Sequence, residues 1–116
     1  MKEERKSADY LSDILEAARK VSKFVEGLTF EQFCNDEKTV FAVIRGLEII
    51  GEAVRNIPPP LRQKYPQISW RLITGMRDRL IHDYLGVDLI IVWNAATKEL
   101  PEVEPKIREM LDELSG

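Results

Sequence analysis

The sequence predicts an all-α domain, an up-and-down bundle of four to five main helices. Three observations predict it. Apolar residues recur at helical spacing throughout, and no stretch sustains the apolar–polar alternation of a strand. Glycines, prolines and capping residues punctuate the chain, so successive amphipathic helices are joined by short connections. With 116 residues, 44% hydrophobic and 32% charged, the chain suits one folded domain over 1–116 and neither a disordered segment nor a pair of domains.

Helix one is expected over about 7–26, where Tyr10, Leu11, Ile14, Leu15, Ala18, Val21, Phe24 and Val25 make an apolar stripe. Gly27 stops it. Thr29-Phe30-Glu31-Gln32 has the Thr-x-x-Gln form of a capping box and opens a short turn of helix. Asn35 or Asp36 caps helix two, over about 37–57, with Val40, Val43, Ile44, Leu47, Ile50 and Val54 on its main buried face. Ala42, Ile49 and Ala53 form a second apolar patch nearly opposite. Gly46 and Gly51 lie in the same helix, each at a cost of ~1 kcal/mol relative to alanine. A helix apolar on two sides with small residues in it suits either close packing within the bundle or a dimer interface, and the pattern does not choose.

Ile57-Pro58-Pro59-Pro60 cannot continue the helix and is expected to form a rigid connector. Pro66 keeps the chain irregular as far as Ser69, the N-cap of a third helix over about 70–85 that Gly86 ends. Asp88 caps a fourth helix at about 89–99. Pro101 suits the first turn of a fifth, reaching about Leu114.

Composition narrows the function classes. The longest apolar run, Leu89-Ile90-Ile91-Val92-Trp93, is five residues, against the ~20 of a membrane span. Met1 to Lys6 is charged with no apolar segment behind it, so no secretory leader and no membrane association are expected, and the chain reads as cytoplasmic. One cysteine, Cys34, and one histidine, His82, leave no internal disulfide and no metal site within one chain; no cofactor is expected. The net charge of −3 is not that of a nonspecific nucleic-acid binder. It hides an asymmetry. Residues 60–82 hold Arg62, Lys64, Arg71, Arg77 and Arg79 against Asp78 alone, net +4, while residues 1–59 carry −2 and 83–116 carry −5. This is either a solvated basic face or a local phosphate site on an otherwise acidic protein; charge alone does not decide.

Along helix three, at ~100° per residue, Trp70, Ile73, Leu80, Ile81 and Tyr84 share a stripe with Arg77 in its middle. A guanidinium there cannot lose its charge and must find a partner. A structural ion pair with Glu48 or Glu52 is the plain explanation. His82 lies roughly 140° around the helix from Arg77, and Asp78 precedes it by four residues on the same face, where a carboxylate can orient an imidazole. Taken singly, a lone histidine is most often a surface or satisfied core residue, and Tyr84 an amphipathic residue at the core edge.

The run Arg77-Asp78-Arg79-Leu80-Ile81-His82-Asp83-Tyr84 resembles the Arg-x4-His-x-Tyr signature of the HepT-like branch of the HEPN superfamily. The resemblance extends to Leu47–Ala53, Trp70–Met76 and Gly86–Trp93, in the expected order, and so covers about Tyr10 to Leu114. It implies a homodimeric HEPN-like bundle in which two copies of the motif form one cleft. It also implies a metal-independent RNase, the toxin of a toxin–antitoxin pair, with tRNA among its substrates. The implied partner is MntA, a minimal nucleotidyltransferase that silences the toxin by adding AMP to the motif tyrosine, here Tyr84.

The residue types suit that chemistry. Without a metal, RNA is most easily cut by its own 2′-hydroxyl, and histidine can accept or donate the protons at neutral pH. On this reading Arg77 stabilises the phosphate, His82 is acid or base, and Asp78 orients or tunes it. Arg62, Lys64, Arg71 and Arg79 are candidate RNA contacts. With one histidine per chain, a two-fold dimer is an economical source of both acid and base. Two other readings stand beside it: a non-catalytic module that docks a nucleotidyltransferase through the motif, and a helical dimerisation protein with no nucleic-acid role.

Overall fold

The computed structural model describes residues 6–71, 73–75 and 88–115. Two 19-residue amphipathic helices, α1 (Ser7–Val25) and α3 (Glu37–Arg55), pack along each other. Leu11, Ile14, Leu15, Ala18 and Val21 of α1 are buried against Val43, Leu47, Ile50 and Val54 of α3 in one core. This is the face that the periodicity predicts. Phe24 departs from it, standing exposed near the end of α1, while Ala17 is buried in its stead. No side chain fits at Gly46 of α3 without a shift, since an added Cβ would stand 2.5 Å from Val21 Cγ2. The glycines of α3 are thus explained in part within the chain, Gly46 being the point of closest approach to α1.

Local chemistry sets the connections. Gly27, at φ +76°, takes the left-handed conformation that ends α1. Thr29 Oγ1 accepts from the Gln32 amide at 3.1 Å and Gln32 Oε1 accepts from the Thr29 amide at 2.9 Å, the reciprocal box that opens α2 (Phe30–Cys34). Asp36 is the cap of α3: its carboxylate accepts from the Thr39 amide at 3.1 Å and the Thr39 hydroxyl at 2.7 Å. Those two bonds, the hydroxyl's first, hold the Asp36 carboxyl below its ordinary value. Asn35 closes α2 instead. Rings of α2 tie it to the chain's later half, with Phe33 and Trp93 at 5.2 Å between centroids.

Two expectations are corrected. The helix expected over 37–57 is α3, which stops at Arg55, and the proline run does more than connect: Pro59 opens a short helix, α4 (Pro59–Gln63). Proline fits the first helical positions because the amide it lacks would have no partner there. The second correction concerns the C-terminal half. No break separates the helices expected at 89–99 and from Pro101. Instead α6 (Leu89–Asn94) runs through a π-helical turn, Ala95–Glu99, into α7 (Leu100–Ser115). The Leu100 amide reaches back five residues to the Ala95 carbonyl, and the Thr97 hydroxyl donates to the Trp93 carbonyl at 2.7 Å. Pro101 has no amide to offer and its ring crowds the carbonyl four residues back, so a straight α register would be strained there. The wide turn at Ala95–Glu99 accommodates it.

Between α4 and α6 the chain is irregular to Ser69, and the described residues 70–71 and 73–75 are helical, here α5. All regular elements among the described residues are helical, and none of these helices is long and apolar enough to cross a membrane. The fold is all-α, as predicted.

Candidate active site and its basic groove

The segment before the motif is built from the indole of Trp70 outward. Trp70 is buried with Tyr65, Ile68 and Ile73, and an indole N–H buried there needs an acceptor. It has two: Nε1 donates to the Arg62 carbonyl at 3.0 Å and the Tyr65 carbonyl at 3.1 Å. The tryptophan that begins α5 therefore holds the end of α4. Arg62 is fixed at its side chain too, its Nε donating to the Ile57 carbonyl at 3.0 Å just beyond the C-terminus of α3. From the other side α7 pins the loop. The Tyr65 hydroxyl donates to the Glu113 carboxylate, and Lys106 Nζ donates to the Gln67 carbonyl at 3.2 Å. The bond to Glu113, helped by burial and that negative charge, pushes the Tyr65 hydroxyl above its ordinary pKa.

This framework leaves an open groove of about 1100 Å³, walled by Pro59, Pro66 and Ile68 and carrying Arg62, Gln63, Arg71 and Thr74. No carboxylate lines it among the described residues. Of the basic residues read as RNA contacts, the structure brings Arg62 and Arg71 together here. Lys64 is exposed and does not line the groove. Arg79 lies outside the described residues, as do Arg77, Asp78, His82 and Tyr84, and with them any ion pair of Arg77 to Glu48 or Glu52. Gln63 and Thr74 escape a reading of charge alone. Their signal is positional: Gln63 follows Arg62 on α4, and Thr74 stands three residues after Arg71, on one face of α5. Among the described residues no three His, Cys, Asp or Glu side chains converge as a metal site requires. What the groove can do is bind anions: two guanidinium forks and the Gln63 amide match phosphate oxygens and their neighbours, while the Thr74 hydroxyl donates within its own helix, to the carbonyls of Trp70 and Arg71 at 3.2 and 3.1 Å.

Gly75 of the groove is two residues before Arg77 in the chain, so groove and motif are one continuous stretch. The profile of the family described as "Ribonuclease HepT-like" matches residues 14–110, which include all of that stretch. The chain belongs to the HepT-like ribonuclease family. A protein of Thermococcus cleftensis, named provisionally as ribonuclease HepT, is 44% identical over 106 residues, 91% of this HepT-like chain and 96% of that protein. One from Methanocaldococcus jannaschii, provisionally named an RNase, is 41% identical over 107 residues, 92% of this chain and 88% of its own. Another provisional RNase, of Caldanaerobacter subterraneus subsp. tengcongensis, is 44% identical over 102 residues, covering 88% and 91%. No solved structure matches the chain significantly. The family match corroborates the resemblance carried by the motif and its flanking runs.

Proposed function

We propose that this HepT-like chain is a metal-independent endoribonuclease, the toxin of a toxin–antitoxin pair, acting on tRNA in the cytoplasm. The observation that carries the reading is that the residues matched by the family, 14–110, span Arg77-x4-His82-x-Tyr84. In the reaction the 2′-hydroxyl oxygen attacks the adjacent phosphorus and the bond to the 5′-oxygen breaks, leaving a cyclic phosphate and a free 5′-hydroxyl. One imidazole takes the 2′-proton and another delivers a proton to the departing oxygen. A homodimer supplies both, since each chain has a single histidine. Arg77 stabilises the extra charge on the phosphorane, and Asp78 orients His82.

Control falls to Tyr84. A partner nucleotidyltransferase of the MntA type joins the Tyr84 oxygen to the α-phosphorus of ATP with loss of pyrophosphate. The new phosphodiester brings a negative charge for Arg77 to bind, and the adenosine excludes RNA.

Purified protein incubated with total tRNA in EDTA, beside His82→Ala, tests the reading. Cleavage by the wild type alone is expected. Cleavage that EDTA stops overturns the metal-independent route, and none by wild type with nucleotidyltransferase binding intact favours the docking module. With the cognate partner and ATP, Tyr84→Phe keeps its RNase activity and escapes silencing; an AMP-sized adduct on another residue, seen by mass spectrometry, refutes the role of Tyr84.

A further inference from the structure

The motif chemistry uses nothing in the groove between α4 and α5, yet the groove is built as a binding surface. Its two arginines sit in the one positive segment, net +4, of a chain that carries −3 overall. Arg62 is held at both ends, its carbonyl by the Trp70 indole and its Nε by the Ile57 carbonyl. Both terminal amino groups of its guanidinium then remain for a ligand, with no ion pair to a carboxylate among the described residues. A preorganised fork of this kind binds phosphate with little ordering cost. Pro59, Pro66 and Ile68 add apolar walls beside it.

We infer that this groove seats a single-stranded stretch of the RNA substrate flanking the cleaved phosphodiester, with Arg62 and Arg71 on successive phosphates. The inference rests on the ribonuclease reading above. A single strand fits better than a duplex. Duplex RNA keeps its base faces inside the stack and shows mainly phosphates and 2′-hydroxyls. A groove with cationic and apolar walls together suits a strand whose sugars and base faces are open. Gln63 lies where base edges or 2′-hydroxyls can meet it, and Thr74 Oγ1, its proton donated to the backbone, can accept from a 2′-hydroxyl. Arg62 and Arg71 are thus binding residues that lower KM, apart from the reacting atoms.

Anisotropy titrations of a labelled single-stranded RNA of about twelve nucleotides, over a range of KCl, test this in the full chain carrying His82→Ala. Adding Arg62→Gln or Arg71→Gln should weaken binding about 10-fold and reduce the slope of log K against log[salt] by about 0.7 each. Arg71 is exposed, so its variant does not disturb the fold; Arg62→Lys keeps the charge and guards the other case. In the active protein the same variants should raise KM on long RNA. Unaltered affinity and slope in both glutamine variants, with RNA still bound and cut by the parent proteins, overturn the groove alone. Equal losses on a duplex of the same sequence overturn the single-strand assignment. A parent chain that neither binds nor cuts RNA overturns the ribonuclease reading, and the groove's role with it.

Discussion

The seam between α1 and α3 and the groove between α4 and α5 use their residues in opposite ways. In the seam, side chains are consumed by one another: Leu11, Val21, Val43 and Val54 are wholly buried, and Gly46 lets the helices meet. In the groove, the buried members are spent on the backbone, the Trp70 indole on two carbonyls, while the arginine tips stay open. A tight seam gives the helices a fixed relation; a groove braced from behind turns that rigidity into a surface with unspent hydrogen-bonding capacity. Changes in the seam should therefore move stability and leave specific activity per folded molecule alone. Changes at the motif and groove should do the reverse.

The largest expected effect is at the motif. Arg77→Ala and His82→Ala should each lower the rate of tRNA cleavage by roughly 10²–10⁴-fold, as loss of a charge stabiliser or a proton-transfer group does, with circular dichroism unchanged. Full activity of either variant in a gel assay would remove it from the chemistry and blur the contrast with the seam.

Next comes Gly46→Ala. Alanine gains ~1 kcal/mol of helix propensity over glycine. Its methyl, however, would meet a stiff, fully buried Val21 at 2.5 Å, and overpacking costs typically ~1–3 kcal/mol. A net loss is expected in urea denaturation. It should shrink when the same change is made in a Val21→Ala background, since the two sites share one contact. A stabilised Gly46→Ala protein would mean that the seam is looser than the groove's frame needs.

The smallest effects are in pH. Tyr65 is raised by its bond to Glu113, so its contribution is complete below about pH 10, the value of a free tyrosine, and is lost as pH climbs through the folded value. Asp36 is lowered by Thr39, so its contribution is complete above about pH 4 and is lost as pH falls through the folded value. Melting curves against pH should show Tyr65→Phe flattening only the alkaline limb and Asp36→Asn only the acid one. Asparagine still caps a helix but cannot titrate there.

The same contrast explains which features are legible in the amino-acid sequence. Long stripes such as Leu11–Val21 and Val43–Val54 are legible because helical burial writes itself at fixed spacing. The Thr29–Gln32 box is legible because it is local. Phe24 is not, since periodicity marks a face without saying whether a neighbour covers it. Prolines mislead twice. The signal that ends α3 also begins α4, and at Pro101 a wide turn absorbs what should have been a break. Arg62 and Arg71 are visible in a charge count, but so is Lys64, which the end of α4 leaves out of the groove. Gln63 and Thr74 are neutral and leave no mark in composition. The motif itself is legible only as a resemblance; its residue types alone admit a buried ion pair and an ordinary surface histidine.

The π turn at Ala95–Glu99 has a consequence for how this family member can change length. A wide turn holds one residue more than an α turn over the same rise, so it is a stored insertion. Removing the exposed Lys98 would tighten the turn to α pitch and leave Val92 and Ile107 facing the core as before. It would also push the Pro101 ring onto the preceding turn, at about 3 kcal/mol or more. Proline and extra residue are therefore linked in one direction: the residue can be lost in evolution only after the proline has gone or in the same step, while the proline is free to go first. Pro101 acts as a ratchet that keeps the C-terminal rod one residue longer than its core requires.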